Sequence, residues 1–396
     1  MVVIVNALRS PIGKLHGSLS EVSAEKLISN VIKNSFANLG LDKSHVEEVI
    51  LGQTKQNSHA PNIARVASLL SGIPENVPAH TVHRQCGSGM QSVHEAFLLI
   101  NSGLSEVVLS GGVESMSQAP YYSMGNRFLN HKAGNITFYD SNIESQPNSQ
   151  PKEIYGEFNM GDTAEYLANK YSISREEQDE YALNSHLKAL NAIKTNRFDD
   201  EIVPVEIDNR NGFSLITKDE HPRNTSIEKL SKLKPVFSKD GTVTAGNSSG
   251  RNDGAALLTV MSERKARELD LPILARIKGI ASTGVHPKEM GLGPLPASQK
   301  ALKMANLQLK DMDLIELNEA FAAQTLAVLK EWDINNTHVN VNGGSIALGH
   351  PLGCTGTRIL VTLIHELRKR NLKYGLTTAC IAGGQGTATV IENCQD

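Results

Sequence analysis

His83-Arg84-Gln85-Cys86-Gly87-Ser88-Gly89 and Asn342-Gly343-Gly344-Ser345-Ile346-Ala347-Leu348-Gly349-His350-Pro351 are the two stretches on which the fold turns. Each is a glycine-rich turn between a short apolar segment and an amphipathic run. Ala79 to His83 leads into the first and Ser88 to Ile100 follows it; Val339 to Val341 leads into the second and Pro351 to Leu367 follows it. Strand, tight turn and helix in this order are the signature of an α/β sheet with helix-covered faces. Each helix is followed by a strand that ends in a double glycine, Val108-Leu109-Ser110-Gly111-Gly112 and Cys380-Ile381-Ala382-Gly383-Gly384. Upstream, the strand-like Val46 to Leu51 has its counterpart in Asp313 to Leu317. The order of elements therefore repeats, although the residues do not. Two such halves about a pseudo-twofold axis aim both turns at a common centre.

Working outward, Val2 to Asn6 and Glu106 to Leu109 read as strands and Asn62 to Leu70 as a helix. Ala24, Leu27, Ile28, Val31, Ile32 and Leu39 recur at helical spacing, with Gly40 placed to end that helix in the left-handed conformation. Residues 121–243 differ in character: Asn, Ser, Gln and Lys are dense from Gly125 to Lys152, and strand signals are sparse. Within this stretch Ser174-Arg175-Glu176-Glu177 has the form of a capping box and opens a helix to about Ile193. An excursion this long that carries its own helices points to a functional insertion. Residues 121–243 thus read as a loop-rich insertion between the halves.

With 396 residues, 40% apolar and 20% charged, and a formal charge of −3, the chain carries no large basic field for nucleic acid or anionic lipid. No apolar run has the length of a membrane span. Met1 to Val5 enter a strand-like segment with no charged leader before it, and the four cysteines form no CxxC pairs, so reduced thiols and a cytoplasmic location are expected.

Cys86 follows a strand and precedes a helix, where the helix dipole and free N–H groups favour thiolate over thiol. That is how a nucleophilic cysteine is made; the alternative is a buried structural cysteine. His350, at the mouth of the second helix, could accept the Cys86 proton or hold a substrate carbonyl. Cys380 ends an apolar strand, and the N–H groups that follow it from Ala382 could converge on an oxyanion. Asn318, in Glu316-Leu317-Asn318-Glu319-Ala320-Phe321, stands where an amide could fix a water or a carbonyl, or could cap a helix. Three solitary Cys and His residues lack the paired spacing of a zinc site, so no metal is expected. The glycine spacing fits neither a dinucleotide fingerprint nor a phosphate loop.

Cys86-Gly87-Ser88-Gly89, Asn318-Glu319-Ala320-Phe321, Gly349-His350-Pro351 and Cys380 with its double glycine, in this order, resemble the thiolase family over nearly the whole chain. The resemblance implies an α/β thiolase fold: two pseudo-twofold related βαβαβαββ halves in a five-layer αβαβα arrangement, residues 1–120 with 244–268 and residues 269–396, with an inserted loop domain at 121–243 in the first half. It implies coenzyme A thioesters (acetyl-CoA and 3-ketoacyl-CoA) as substrates with no separate cofactor, and a homodimer or homotetramer. By the same resemblance Cys86 is the acyl-carrying nucleophile, His350 its base, and Cys380 the acid/base acting on the α-carbon of the second acyl-CoA. Asn318 fixes a water that, with His350, holds the thioester oxygen, and the N–H groups of Cys86 and Ala382 form a second oxyanion hole. Val243-Thr244-Ala245-Gly246-Asn247-Ser248-Ser249-Gly250 matches the pantetheine-binding stretch, giving Ala245 and Ser249 as contacts. Arg223 matches a position near the adenine nucleotide. Met160, Phe237, Met290 and Phe321 match positions lining the acyl or pantetheine tunnel.

The expected reaction is reversible Claisen condensation of two acetyl-CoA to acetoacetyl-CoA and CoA, with degradative thiolysis of longer 3-ketoacyl-CoA as the alternative. A decarboxylating ketoacyl synthase is disfavoured by Cys380, where such a site offers histidine, and a non-catalytic acyl-CoA carrier by the presence of both cysteines. Three departures from the family pattern stand out: Ala382 replaces the usual glycine, Asn159 stands where biosynthetic acetoacetyl-CoA thiolases commonly carry histidine, and the loop from Gly125 to Glu157 does not follow the pattern of those enzymes.

Overall fold

The computed structural model describes residues 1–129, 133–209, 212–334 and 336–394. Residues 130–132 and 210–211 of the expected insertion, and 335 and 395–396 of the expected second half, lie outside the described residues. The first half contributes β1 (Val2–Arg9), α1 (Ala24–Leu39), β2 (Glu48–Gly52), α2 (Ile63–Leu70), β3 (Ala79–Val82), α3 (Ser88–Asn101) and β4 (Val107–Ser115). The insertion includes α4 (Met160–Lys170) and α5 (Arg175–Lys194), after which the chain returns to the sheet as β5 (Asn252–Ser262). The second half follows with β6 (Ala275–Gly284), α6 (Pro294–Ala305), β7 (Leu314–Leu317), α7 (Ala322–Trp332), α8 (Leu352–Arg370), β8 (Tyr374–Ile381) and β9 (Gln385–Asn393).

These strands form one path in the order β7-β8-β9-β6-β1-β5-β4-β2-β3. Counted from each half's own first strand, the spatial order is third, second, fourth, fifth, first in both. In the second half the third place is held only by a single bridge between Ile315 and Val339, so the expected strand Val339 to Val341 shrinks to one residue. The half-sheets join where Val3 and Ile4 of β1 pair with Arg276 and Ala275 of β6.

Alternate residues of the central strands go to opposite faces, and both faces are buried. Val3, Leu109 and Leu257 pack under α1 and α2, whereas Ile4, Val108 and Leu258 turn to a core shared with α3 and α8. A third core packs α6 and α7 on the far face of the second half. The layers therefore run helix, sheet, helix, sheet, helix. Of the predicted α1 positions, Ala24, Leu27, Ile28, Val31 and Ile32 are buried and Leu39 is half-buried, and Gly40 ends the helix at φ 62°.

The middle layer decides where chemistry happens. A Cβ on Gly89 of α3 would lie 2.8 Å from the Gly353 carbonyl oxygen and 3.0 Å from the Thr357 nitrogen of α8. Thr357 Oγ1 donates to the Gly89 carbonyl at 2.9 Å. The two central helices thus start side by side, in contact through glycine. The sequence reading that Gly111-Gly112 ends a strand is corrected here: β4 runs straight through it. Its Gly112 serves close approach instead, since a Cβ there would sit 2.0 Å from the Gly353 oxygen. The insertion also has more strand than its composition suggests, in two short hairpins, Tyr121–Tyr122 with Tyr139–Asp140 and Val205–Asn209 with Gly212–Ile216. Among the described residues no helix is long and apolar enough to cross a membrane.

Candidate active site

Because α3 and α8 begin together, the turn before each of them opens on the same space. A cavity of about 310 Å³ is lined by Cys86, His350, Cys380 and Ala382, and by Ala245, Ser249, Met160, Phe237, Met290 and Phe321. Ten of the predicted site residues, drawn from both halves and from the insertion, thus share one largely apolar chamber. Asn318 is fully buried but is not among the lining residues. Arg223 is not among them either: it lines a separate depression of about 350 Å³ with Lys14, Glu220, His221 and Arg251. Arg251 lines both spaces, so the depression adjoins the chamber.

Cys86 sits in a tight turn held by Ser88, whose hydroxyl donates to the Gln85 carbonyl at 2.7 Å and accepts from the Arg84 N–H at 2.8 Å. Gln85 takes a left-handed φ of 45° to aim the next residue inward, a conformation that costs a non-glycine residue about 1–2 kcal/mol. The pull of backbone N–H groups towards thiolate is present at Cys86, but it is outweighed. Burial pushes its thiol up to about 11, outweighing the N–H groups of Ala382 and of Cys86 itself and the Lys55 ammonium, all of which pull it down. The two N–H groups nonetheless converge on the sulfur, where the oxygen of a tetrahedral adduct would also develop charge.

His350 is held down to about 3, first by burial and then by the Arg358 charge, so its ring is neutral at physiological pH. Its Nδ1 lies 2.7 Å from Thr355 Oγ1, which is 3.0 Å from the Pro351 carbonyl. A carbonyl only accepts, so the Thr355 proton goes to Pro351 and Nδ1–H donates to Thr355. Nε2 is then the bare nitrogen, and it is buried with no protein partner. A neutral imidazole with a free lone pair beside a protonated thiol is a base ready to receive a proton.

Cys380 closes β8 and is 1% exposed; burial, and then the neighbouring Cys86, push its thiol well above the ordinary range. After it the chain turns through Gly383 and Gly384 at φ 84° and 81°. Side chains there would also meet the Ser149 carbonyl oxygen at 2.6 Å and the Val285 carbonyl oxygen at 2.4 Å, which explains the double glycine. Asn318 caps no helix, since α7 begins at Ala322 behind Phe321. Its Oδ1 accepts from Ser345 Oγ at 2.6 Å, and its Nδ2 is buried without a partner. Asn159 opens α4, its N–H donating to Asp162 Oδ2 at 2.6 Å, and does not line the chamber.

A neutral base, a protonated nucleophile, a second thiol and paired N–H donors around one apolar chamber suit acyl transfer through a cysteine. Compared with known families, residues 2–264 match the thiolase N-terminal domain and residues 271–393 the thiolase C-terminal domain. The chain belongs to the thiolase family. This thiolase is 47% identical over 392 residues to a probable acetyl-CoA acyltransferase of Staphylococcus aureus (strain COL), covering 98% of each chain. Its fold matches the crystal structure of the Bacillus anthracis acetyl-CoA acetyltransferase with a TM-score of 0.94 at 48% identity, over 99% of this chain and 98% of that one. It matches human mitochondrial 3-ketoacyl-CoA thiolase with a TM-score of 0.95 at 44% identity, over 99% of each. The expected thiolase fold is thus observed, and the chain is a thiolase-family acyltransferase.

Several residues of this thiolase site escaped the sequence reading. Lys55 is 5% exposed, and its ammonium donates to the Ser141 carbonyl at 2.8 Å and to Ser145 Oγ at 2.6 Å, fastening the insertion over the chamber. Thr355 sets the His350 tautomer from five residues downstream, a spacing at which a hydroxyl in the first helical turn could have been suspected. Nothing in the sequence around Ser345 and Arg358 signals that they stand behind Asn318. Among the described residues no group of three or more His, Cys, Asp or Glu side chains is placed to hold a metal ion.

Proposed function

We propose that this thiolase is an acetyl-CoA C-acetyltransferase, joining two acetyl-CoA into acetoacetyl-CoA and CoA through an acyl-Cys86 intermediate. The observation that carries this reading is the meeting of Cys86, the unpartnered His350 Nε2 and Cys380 at one apolar chamber. His350 Nε2 takes the Cys86 proton as the sulfur attacks the thioester carbonyl, and the N–H groups of Cys86 and Ala382 receive the developing oxyanion. CoA leaves as the thiol with that proton. Cys380 then gives its own thiol proton to His350 Nε2 and, as the thiolate, removes an α-proton from a second acetyl-CoA, whose enolate oxygen is held by His350 and a water on Asn318. The enolate carbon attacks acyl-Cys86, and the expelled sulfur takes the proton back from His350. Run backwards, the same steps cleave acetoacetyl-CoA with CoA. Coenzyme A thioesters are the only other reactants, and no further cofactor enters.

Ala245 and Ser249 line the chamber as a pantetheine would require, and Arg223, Lys14 and Arg251 offer a local cationic spot for nucleotide phosphates on a chain of net charge −3. The side chains of Met160, Phe237, Met290 and Phe321 favour a second reading, thiolysis of longer 3-ketoacyl-CoA, because a chamber walled by Met and Phe accepts methylene groups. Thiolysis rates across 3-ketoacyl-CoA of four to sixteen carbons discriminate: kcat/KM falling steeply beyond four carbons supports the first reading, and a profile that rises with length replaces it by the second. Absence of thiolysis at every length removes both. A homodimer or homotetramer in the cytoplasm belongs to the same proposal.

A further inference from the structure

Behind Asn318 stands a buried cation. Arg358 of α8 has no solvent exposure, and its Nη2 donates to Ser345 Oγ at 3.0 Å. Ser345 Oγ lies 2.6 Å from Asn318 Oδ1. A guanidinium has only donors, so it takes an acceptor position on the Ser345 oxygen and turns the hydroxyl proton towards Asn318. The chain of hydrogen bonds then runs in one direction, from Arg358 through Ser345 to the amide carbonyl. Burial strengthens the preference, because at low dielectric the negative end of the amide dipole is drawn towards the positive charge. The amide NH2 is left facing the other way, where Nδ2 is buried without a protein partner. Arg358 pairs with the buried Glu316, whose Oε2 stands 3.8 Å from Nη1, but that contact is too long for a hydrogen bond, and both Nε and Nη1 lack hydrogen-bond partners.

We propose that Arg358, acting through Ser345, is a positioning residue that fixes the Asn318 amide with its donor towards the water that holds the enolate oxygen. The inference rests on the role given to Asn318 under Proposed function. Ser345 would transmit orientation only, with no contact to substrate.

The test uses the full enzyme with Ser345→Ala, Ser345→Thr, Asn318→Ala, Arg358→Met and the Ser345→Ala/Asn318→Ala pair. Two rates are read separately: acyl transfer from labelled acetyl-CoA to Cys86, and exchange of acetyl-CoA α-protons with D2O. Ser345→Ala is expected to slow exchange about fivefold, the worth of one neutral hydrogen bond, with KM and acylation unchanged. Arg358→Met is expected to slow exchange at least as much, and Ser345→Thr, which keeps the hydroxyl, to restore most of it. With Asn318 already replaced, Ser345→Ala is expected to add nothing. Wild-type exchange in Ser345→Ala alongside impaired exchange in Asn318→Ala overturns the relay while sparing the Asn318 reading. Wild-type exchange in Asn318→Ala overturns that reading and the relay with it. Equal losses of acylation and exchange in Ser345→Ala mark a structural defect and also overturn the relay. If Arg358→Met does not fold, the Ser345 variants decide.

Discussion

The turns before α3 and α8 are built alike and do opposite work. Each leaves a strand position, passes through glycine and enters a helix of the central layer, and the two helices touch through Gly89 and Gly353. One turn presents a thiol pushed up to about 11, the other an imidazole held down to about 3. Both shifts have burial as their first cause, and both keep their group neutral. The resting pair is therefore uncharged, and charge appears only when a substrate carbonyl arrives to share it. Cys354 sharpens the contrast: it lies in the first turn of α8, fully buried in the central core, with its thiol pushed up to about 12 and no exposure to the chamber.

The largest expected effect separates these two thiols. Cys86→Ser is expected to lower acylation by roughly four orders of magnitude or more, as loss of a covalent nucleophile does. Cys354→Ser is expected to acylate normally and to lose about 1–3 kcal/mol of stability by burying an unpaired hydroxyl. Mass spectrometry for the acetyl adduct and a thermal melt check the two. A full adduct in Cys86→Ser removes the distinction between the turns.

Cys380→Ser comes next: acylation persists, and condensation falls by about 10²–10⁴, the usual share of a general acid/base. Burst labelling beside steady-state condensation measures both, and equal losses break the division of labour between the thiols. A pH profile tests the neutrality of the pair. Because the folded state holds the Cys86 thiol above its ordinary value, thiolate is scarce at neutral pH and grows about tenfold per unit as pH rises towards 11. Alkylation of Cys86 by iodoacetamide is expected to climb steadily from pH 6 to 9. A plateau below pH 8 would reveal a preformed thiolate–imidazolium pair and erase the neutrality of the comparison.

Much of this was legible in the chain itself. Glycine phrases mark backbone that must pass close to something, so Cys86, His350 and Cys380 stood out, and apolar periodicity placed α1, α3 and α8 within a few residues of their observed ends. What periodicity cannot carry is desolvation: the same helix-mouth position that suggests a thiolate holds a thiol once the surrounding protein removes water. Nor can spacing reveal partners brought in from elsewhere. Lys55 on the first half meets Ser141 and Ser145 of the insertion, and Arg358 meets Ser345, through pairings that only the folded sheet creates. Val339 failed as a strand for a related reason, since one bridge to Ile315 is all its neighbours allow.

The place of β1 at the middle of the sheet bears on how the molecule is made. Strand β1 must wait for partners made long after it, Asn252–Ser262 on one side and Ala275–Gly284 on the other. Until α8 emerges, α3 has no neighbour for its buried flank, so a nascent chain carries a sticky, unfinished surface through most of its synthesis. Biogenesis of this enzyme is thereby tied to protection from self-association, and truncated products are expected to be cleared rather than to retain partial activity.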